Sequence, residues 1–128
     1  MEISKKQGIF LAIFLLIIDQ ISKFFIVKNS PYITNTGAAW GILNNPQYLL
    51  IIISWVVVFY IFRYFSHHPL ALSFLLGGTL GNLTDRIFRK EVIDFINIRI
   101  FNYPLFNLAD VFITIAITLL IIKTIKEK

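Results

Sequence analysis

Apolar residues occur along the chain in long blocks separated by short polar stretches, a pattern typical of a protein that crosses a membrane several times. At about 1.5 Å per helical residue, each of four blocks is long enough to cross roughly 30 Å of hydrocarbon. The predicted membrane-spanning helices are residues 8–27, 48–65, 69–88 and 104–122, called spans 1 to 4. Span 4 is predicted to begin at Pro104, because a first helical residue needs no N–H. We treat residues 1–128 as a single integral membrane domain.

One connecting segment carries the pattern of a short strand. In residues 89–103, apolar residues recur on alternate positions around Asp94. They are Val92, Ile96, Ile98 and Ile100. Such alternation favours an extended conformation over a helix. The segment between spans 1 and 2, residues 28–47, is marked as a loop by its Gly, Asn and Pro residues.

Composition supports a membrane protein. Of the 128 residues, 57% are hydrophobic and 15% are charged, which is too little charge to cover the surface of a soluble domain of this size. The chain has no cysteine, so disulfides and thiolate metal sites are excluded. The net charge of +5 is better explained by basic residues at membrane edges than by nucleic-acid binding, and we predict no nucleic-acid partner.

Four spans place both termini on the same side of the membrane. The side of the termini carries slightly more Lys and Arg than the other side, so we predict that both termini are cytoplasmic. The same alternation of spans brings Asp19, Asp85, Asp94 and Asp110 to one membrane edge.

Polar residues at membrane depth are expected to have a partner or a task, because a charged residue there costs about 2.5 to 3.5 kcal/mol. They are Asn107, Asp110, Thr114 and Thr118 on span 4, Gly78, Asn82 and Asp85 on span 3, and Asp19 and Lys23 on span 1. Their helical spacing predicts that three helices turn polar faces toward one site inside the bundle. Gly77 and Gly81 have the spacing at which two helices can approach closely.

The four aspartates fall into two groups. Asp19 with Lys23, and Asp85 with Arg86 or Arg89, are suited to ion pairs that position helices. Asp110 has no basic residue within one turn on its helix, and Asp94 lies among apolar positions of the predicted strand. Two such acids could share a proton and activate water, although acids of this kind also serve as proton relays or ion ligands.

Other chemistries lack their motifs. There is no H-E-x-x-H sequence, and His67 and His68 lie between spans 2 and 3, away from the acids, so we predict no metal and no cofactor. There is no G-x-S-x-G motif. Ser22 and Lys23 are neighbours on a helix and point about 100° apart, which argues against a Ser/Lys pair.

Five segments, in order, resemble a known family, the bacterial lipoprotein signal peptidases, also called signal peptidase II. They are DQISK (19–23), NTGAAWG (35–41), GGTLGNLTDR (77–86), VIDFI (92–96) and FNLAD (106–110). The resemblance extends over most of the chain, although span 2 and both tails carry none of it and the chain is shorter than we expect of the family.

The resemblance implies an aspartic endopeptidase of the bacterial cytoplasmic membrane. Such an enzyme cleaves the signal peptide from diacylglyceryl-modified prolipoproteins, N-terminal to the lipidated cysteine. Asp94 and Asp110 would be its catalytic pair, near the extracytoplasmic face. The implied fold is all-α, with four transmembrane helices and a small extracytoplasmic β-structure formed by loops 28–47 and 89–103. The implied partners are the lipidated substrate and membrane lipid, and we expect a monomer.

Further characteristic positions of the family are implied to bind substrate or support the two acids. They are Asp19, Lys23, Asn35, Gly37, Asn82, Asp85, Arg86, Asn107 and Ala109. For Asn35, Asn82, Asn107 and Arg86, local packing or capping is an equal alternative. Two other hypotheses for the acids stay open: a relay in a proton- or cation-coupled transporter subunit, and a purely structural role in holding the bundle together.

Overall fold

The computed structural model describes residues 2–35 and 46–128, and it consists of four helices and two short strands. The helices are α1 (Lys5–Asn29), α2 (Gln47–Tyr64), α3 (Pro69–Thr84) and α4 (Leu108–Lys126). The strands are β1 (Ile33–Asn35) and β2 (Val92–Asp94). The predicted fold class, a helical membrane protein with a small β-structure, is confirmed.

Three of the helical segments are long and apolar enough to cross a membrane: α1, α4, and α2 with the 3₁₀ turn that extends it to His67. α3 is shorter, but it packs against α1, α2 and α4 and so occupies the centre of the bundle. It continues beyond Thr84 as a wider π-helical turn, Asp85–Arg89, which ends at Lys90 in the left-handed conformation. π-Helical turns of this kind often occur at functional sites.

Close packing of α3 depends on its glycines. A Cβ atom added to Gly78 would lie 2.5 Å from the carbonyl oxygen of Ala109 and 2.7 Å from Cγ1 of Ile113, both in α4. A Cβ atom on Gly77 would lie 2.8 Å from Cβ of Leu15 in α1, and one on Gly81 would collide with the carboxylate of Asp19. The predicted close approach at Gly77 and Gly81 is therefore confirmed.

An apolar core fills the half of the bundle nearer the chain termini. It joins α1, α2 and α3 and contains Ala12, Val58, Ile61, Phe65, Leu72 and Leu76. The outward faces of the helices remain exposed and apolar, as expected of surfaces that contact lipid. The apolar core leaves the opposite half of the bundle to the polar residues.

The strands form a two-stranded antiparallel sheet above that polar half. Ile33 lies opposite Asp94, Thr34 opposite Ile93, and Asn35 opposite Val92. An isolated bridge joins Ile96 to Phe106. The strand predicted around Asp94 is present but short, since it ends at Asp94 and the chain farther on turns through left-handed conformations at residues 99, 101 and 102.

The predicted start of span 4 at Pro104 is wrong, because α4 begins at Leu108. Phe106 is engaged in the bridge, with its N–H donating to Ile96 and its carbonyl accepting from Phe95 and Ile96. This pairing keeps the chain extended up to Asn107. The Asn107 side chain then accepts from the N–H of Asp110 at 2.9 Å and caps the helix.

The predicted interior position of Thr114 and Thr118 is also wrong, because both are exposed. Their hydroxyls donate to the carbonyl oxygens one turn earlier, at 2.9 Å and 2.8 Å. A threonine satisfied in this way by its own helix needs no polar neighbour, so the spacing of these residues did not report the buried face.

We expect Gly78→Ala to lower the free energy of unfolding by about 1–3 kcal/mol, because the added methyl group would overlap α4. In a helix without this contact, Gly to Ala would be stabilising. The measurement is unfolding in mixed SDS micelles, followed by circular dichroism. Thr118→Ala on the exposed face of α4 is the control, and we expect a change within about 0.5 kcal/mol. Gly78→Ala as stable as this control would show that α3 and α4 are not in close contact.

Candidate functional site

The polar half of the bundle is built around Lys23, whose side chain is fully buried. Its Nζ lies 2.8 Å from Oδ2 of Asp19, 3.0 Å from Oδ2 of Asp85 and 3.3 Å from Oδ1 of Asn82. An ammonium group has three N–H donors, and each finds one acceptor here. The buried charge is therefore both neutralised and hydrogen-bonded, as burial requires.

The two carboxylates of this cluster extend it to other elements. Asp19 Oδ1 accepts from the backbone N–H of Ala109 at 2.9 Å, which links α1 to the start of α4. Asp85 pairs with Arg89 at 2.8 Å and accepts from the N–H of Ile93 in β2 at 3.1 Å. The ion pairs predicted for Asp19 with Lys23 and for Asp85 with Arg89 are present. The cluster as a whole connects α1, α3, α4 and β2 through its further hydrogen bonds.

Gln20, which was not among the predicted site residues, is part of this cluster. Its Nε2 lies 3.2 Å from Oδ2 of Asp19, 3.1 Å from the carbonyl oxygen of Gly81 and 3.0 Å from Oδ1 of Asp85. The signal in the sequence is its place in the short polar stretch, residues 19–23, of a span that is otherwise apolar.

Two buried amides connect the cluster to Asp94 and Asp110. Asn107 Nδ2 lies 2.9 Å from Oδ1 of Asp94 and 3.1 Å from Oδ1 of Asn82, with the carbonyl oxygen of Ile93 at 3.3 Å. Asn82 Nδ2 in turn donates to Oδ1 of Asp110 at 3.0 Å. Each amide therefore holds one of the two acids, and the amides hold each other.

Asp110 also has a local structural role. It is the third residue of α4, and its Oδ2 accepts from the backbone N–H of Asn107 at 3.1 Å. In return, the side-chain oxygen of Asn107 accepts from the backbone N–H of Asp110. This reciprocal arrangement is a capping box. The sequence Asn-Leu-Ala-Asp contains the signature of a capping box, an Asn followed three residues later by an acid. This signature would have predicted the start of α4 at Leu108.

Arg86 brings positive charge to the two acids from the π-helical turn. Its guanidinium interacts electrostatically with Asp110, Asp85 and Asp94. Its Nε is buried and has no hydrogen-bond partner among the residues that the structure describes. The counter-ion that Asp110 lacks along its own segment is therefore supplied by the π-helical turn that follows α3.

Two predicted site residues lie at the limit of the description. The backbone of Asn35 pairs opposite Val92 in the sheet that carries Asp94, but its side chain lies outside the described part of the chain. Gly37 lies entirely outside the described residues.

An apolar cavity of about 550 Å³ opens beside Asp110. One wall is α4, with Val111, Ile113 and Thr114, and the other is the segment before it, with Ile98 and Tyr103. The cavity places a carboxylate at the edge of an apolar space. Within residues 2–35 and 46–128, no group of three or more His, Asp or Glu side chains is arranged to hold a metal ion.

Comparisons with known proteins identify a family and two similar structures. The family model described as signal peptidase (SPase) II matches residues 11–126. Two solved structures, each described as a bacterial membrane enzyme determined by the in meso method, are similar to this chain at 31% identity. One has a TM-score of 0.86 over 95% of this chain and 89% of its own. The other has a TM-score of 0.90 over 96% of this chain and 95% of its own.

We expect Lys23→Met to lower the free energy of unfolding by about 3–5 kcal/mol, because it leaves buried carboxylates without their cation. Adding Asp19→Asn should recover part of the loss, since Arg89 still neutralises Asp85. Unfolding in mixed SDS micelles measures both effects. Lys6→Met, at an exposed lysine of the same helix, is the matched control. Equal stability of Lys23→Met and Lys6→Met would contradict a central role for the buried cluster.

Proposed function

Because the chain belongs to the signal peptidase II family, a family of bacterial membrane peptidases, we propose that it removes signal peptides from diacylglyceryl-modified prolipoproteins. Asp94 and Asp110 are the proposed catalytic pair, and cleavage is N-terminal to the lipidated cysteine. The observation that carries the proposal is the pair of bonded amides, Asn107 and Asn82, each of which holds one acid. Asp110, the acid held by Asn82, lines an apolar cavity.

The proposed reaction is a direct attack of water on the scissile peptide bond. One carboxylate of the pair takes a proton from the water, and the resulting hydroxide adds to the carbonyl carbon. The protonated partner donates its proton to the carbonyl oxygen, and a proton then passes to the leaving nitrogen as the C–N bond breaks. No covalent intermediate with the enzyme forms. The amides of Asn82 and Asn107 keep the two carboxylates oriented throughout.

Arg86 is the proposed donor to the substrate. Its Nε is buried near both acids and makes no hydrogen bond within the described chain, so it is available to a carbonyl oxygen on which negative charge develops. Asn35 and Gly37 are proposed to bind the substrate backbone from the side of the sheet, since β1 pairs with the strand that carries Asp94.

The substrate fits the position of the site at the membrane edge. A prolipoprotein has its signal helix in the bilayer and its acyl chains in one leaflet, so its cleavage point lies near that leaflet's surface. The apolar cavity beside Asp110 is proposed to hold part of the lipidated segment. We place this edge on the extracytoplasmic face of the bacterial cytoplasmic membrane, with both termini in the cytoplasm and the enzyme acting as a monomer.

We expect Asp94→Asn and Asp110→Asn each to reduce kcat for a lipidated precursor by at least about 10³-fold, because each removes one partner of proton transfer. Asparagine keeps one acceptor oxygen, which is enough for the bond from Asn107 to position 94 but for only one of the two bonds to position 110. Both variants should remain folded, with Asp110→Asn about 1 kcal/mol less stable. The measurement is single-turnover cleavage in detergent or liposomes. Glu91→Gln, close to Asp94 in sequence but outside the site, is the matched control and should cleave normally.

The same assay also tests the class of substrate. The lipidated precursor should be cleaved much faster than an unlipidated version of the same sequence. Substantial turnover by either aspartate variant would refute the catalytic pair, and equal cleavage of both precursors would refute the lipid requirement.

Two substitutions of Asn107 can distinguish its role in capping α4 from its role in orienting the acids. Asn107→Ser keeps a side-chain oxygen that can cap Asp110 but loses the amide donor to Asp94. We expect it to lower kcat by about 10²-fold, with KM little changed. Asn107→Ala loses both interactions and should be about 1 kcal/mol less stable than the serine variant. Normal kcat in the serine variant would show that Asn107 acts only as a cap.

A further inference from the structure

The segment between the Ile96–Phe106 bridge partners exposes large apolar side chains. Phe101 is 98% exposed, and Ile98, Ile100 and Tyr103 are each about half exposed. We call residues 97–103 the 97–103 loop. A water-exposed loop tip is normally small and polar, so four such side chains in seven residues need an explanation.

The loop lies beside α4 and does not point away from the bundle. Ile98 and Tyr103 line the same cavity as Ile113 and Ile115. Because α4 begins at Leu108, Ile115 lies about 10 Å along the helix axis at 1.5 Å per residue. The cavity therefore extends from the loop to the apolar, membrane-spanning part of α4.

The backbone holds Phe101 outward. Arg99, Phe101 and Asn102 have φ values of 57°, 55° and 54°, in the left-handed region that side chains other than glycine disfavour. Two hydrogen bonds hold these turns: Arg99 N–H to Oδ1 of Asn97 at 2.9 Å, and Tyr103 N–H to the carbonyl of Ile100 at 3.0 Å. A disfavoured conformation that presents a phenyl ring away from the described chain points to a contact outside it.

We propose that the 97–103 loop inserts into the membrane leaflet at the edge where the four aspartates lie, with a phospholipid surface as its partner. Ile98, Ile100 and Phe101 enter the acyl region. Tyr103 lies at the level of the headgroups, where amphipathic aromatic rings are favoured, and Arg99 extends to the lipid phosphates.

Two observations favour lipid as the partner. The loop is continuous with the exposed face of α4, a helix long and apolar enough to cross a membrane. Its single charged residue is basic, and lipid phosphates are negative. Insertion would hold the loop wall of the cavity at a fixed depth beside Asp110. This inference concerns membrane contact and does not depend on the proposed peptidase activity.

Depth measurement by spin labelling tests the proposal, and the absence of cysteine from the chain makes a single label straightforward. Phe101→Cys is labelled and reconstituted in vesicles of zwitterionic and anionic phospholipid. Collision rates with oxygen, which concentrates in the bilayer, and with a water-soluble nickel chelate are then compared. Val56→Cys on the exposed face of α2 is the bilayer control, and Lys128→Cys at the chain end is the aqueous control.

The label at position 101 should resemble that at Val56, with oxygen collisions favoured and nickel collisions several-fold fewer than at Lys128. Nickel access equal to that at Lys128 would overturn the proposal. Protection from both reagents together with spin–spin broadening would also overturn it, since a second copy of the chain would then cover the loop. The experiment measures the depth of the label in the bilayer, so its result does not depend on the outcome of the cleavage assays.

Discussion

The buried ammonium of Lys23 determines the direction of the hydrogen bonds throughout the polar network, that is, which groups donate and which accept. A lysine at this depth must give each of its protons to an acceptor, and Asp19, Asp85 and the oxygen of Asn82 provide them. With its oxygen held toward Lys23, the Asn82 amide must turn its NH₂ group the other way, toward Asp110. Asn107 then donates to the Asn82 oxygen and to Asp94. One fixed charge thus dictates which atoms face the two acids.

This network exists only because α3 packs very closely on its neighbours. Bilayer lipid is as apolar as the helix surfaces, so helices in a membrane associate through close packing and internal hydrogen bonds. Gly81 leaves room for the Asp19 carboxylate, and Gly78 lets α4 approach α3. Larger side chains would move the helices apart and break hydrogen bonds that tolerate little lengthening. The geometry of the polar site therefore depends on the close packing of the helices.

The sequence predicted the parts of this arrangement that depend on local pattern: the existence of four helices, the gathering of the four acids at one end of the bundle and the Asp19–Lys23 pair. The prediction from sequence failed where the local structure depends on a contact between residues far apart in the chain. The extended path before α4 depends on pairing of Phe106 with Ile96, which no helical pattern contains. The positive charge that Arg86 brings to Asp110 comes from a different element, the π-helical turn, so the spacing of residues near Asp110 gives no sign of it. Thr114 bonds its own helix and so gives no signal of which face is buried.

The capping role of Asp110 is compatible with the proposed catalytic one. Each carboxylate oxygen has two lone pairs, and the cap uses one on Oδ2 while Asn82 uses one on Oδ1. The remaining acceptor positions can bind a water or a proton. The interactions that begin the helix thus also hold the carboxylate in one orientation beside the cavity, which is what a positioned base requires.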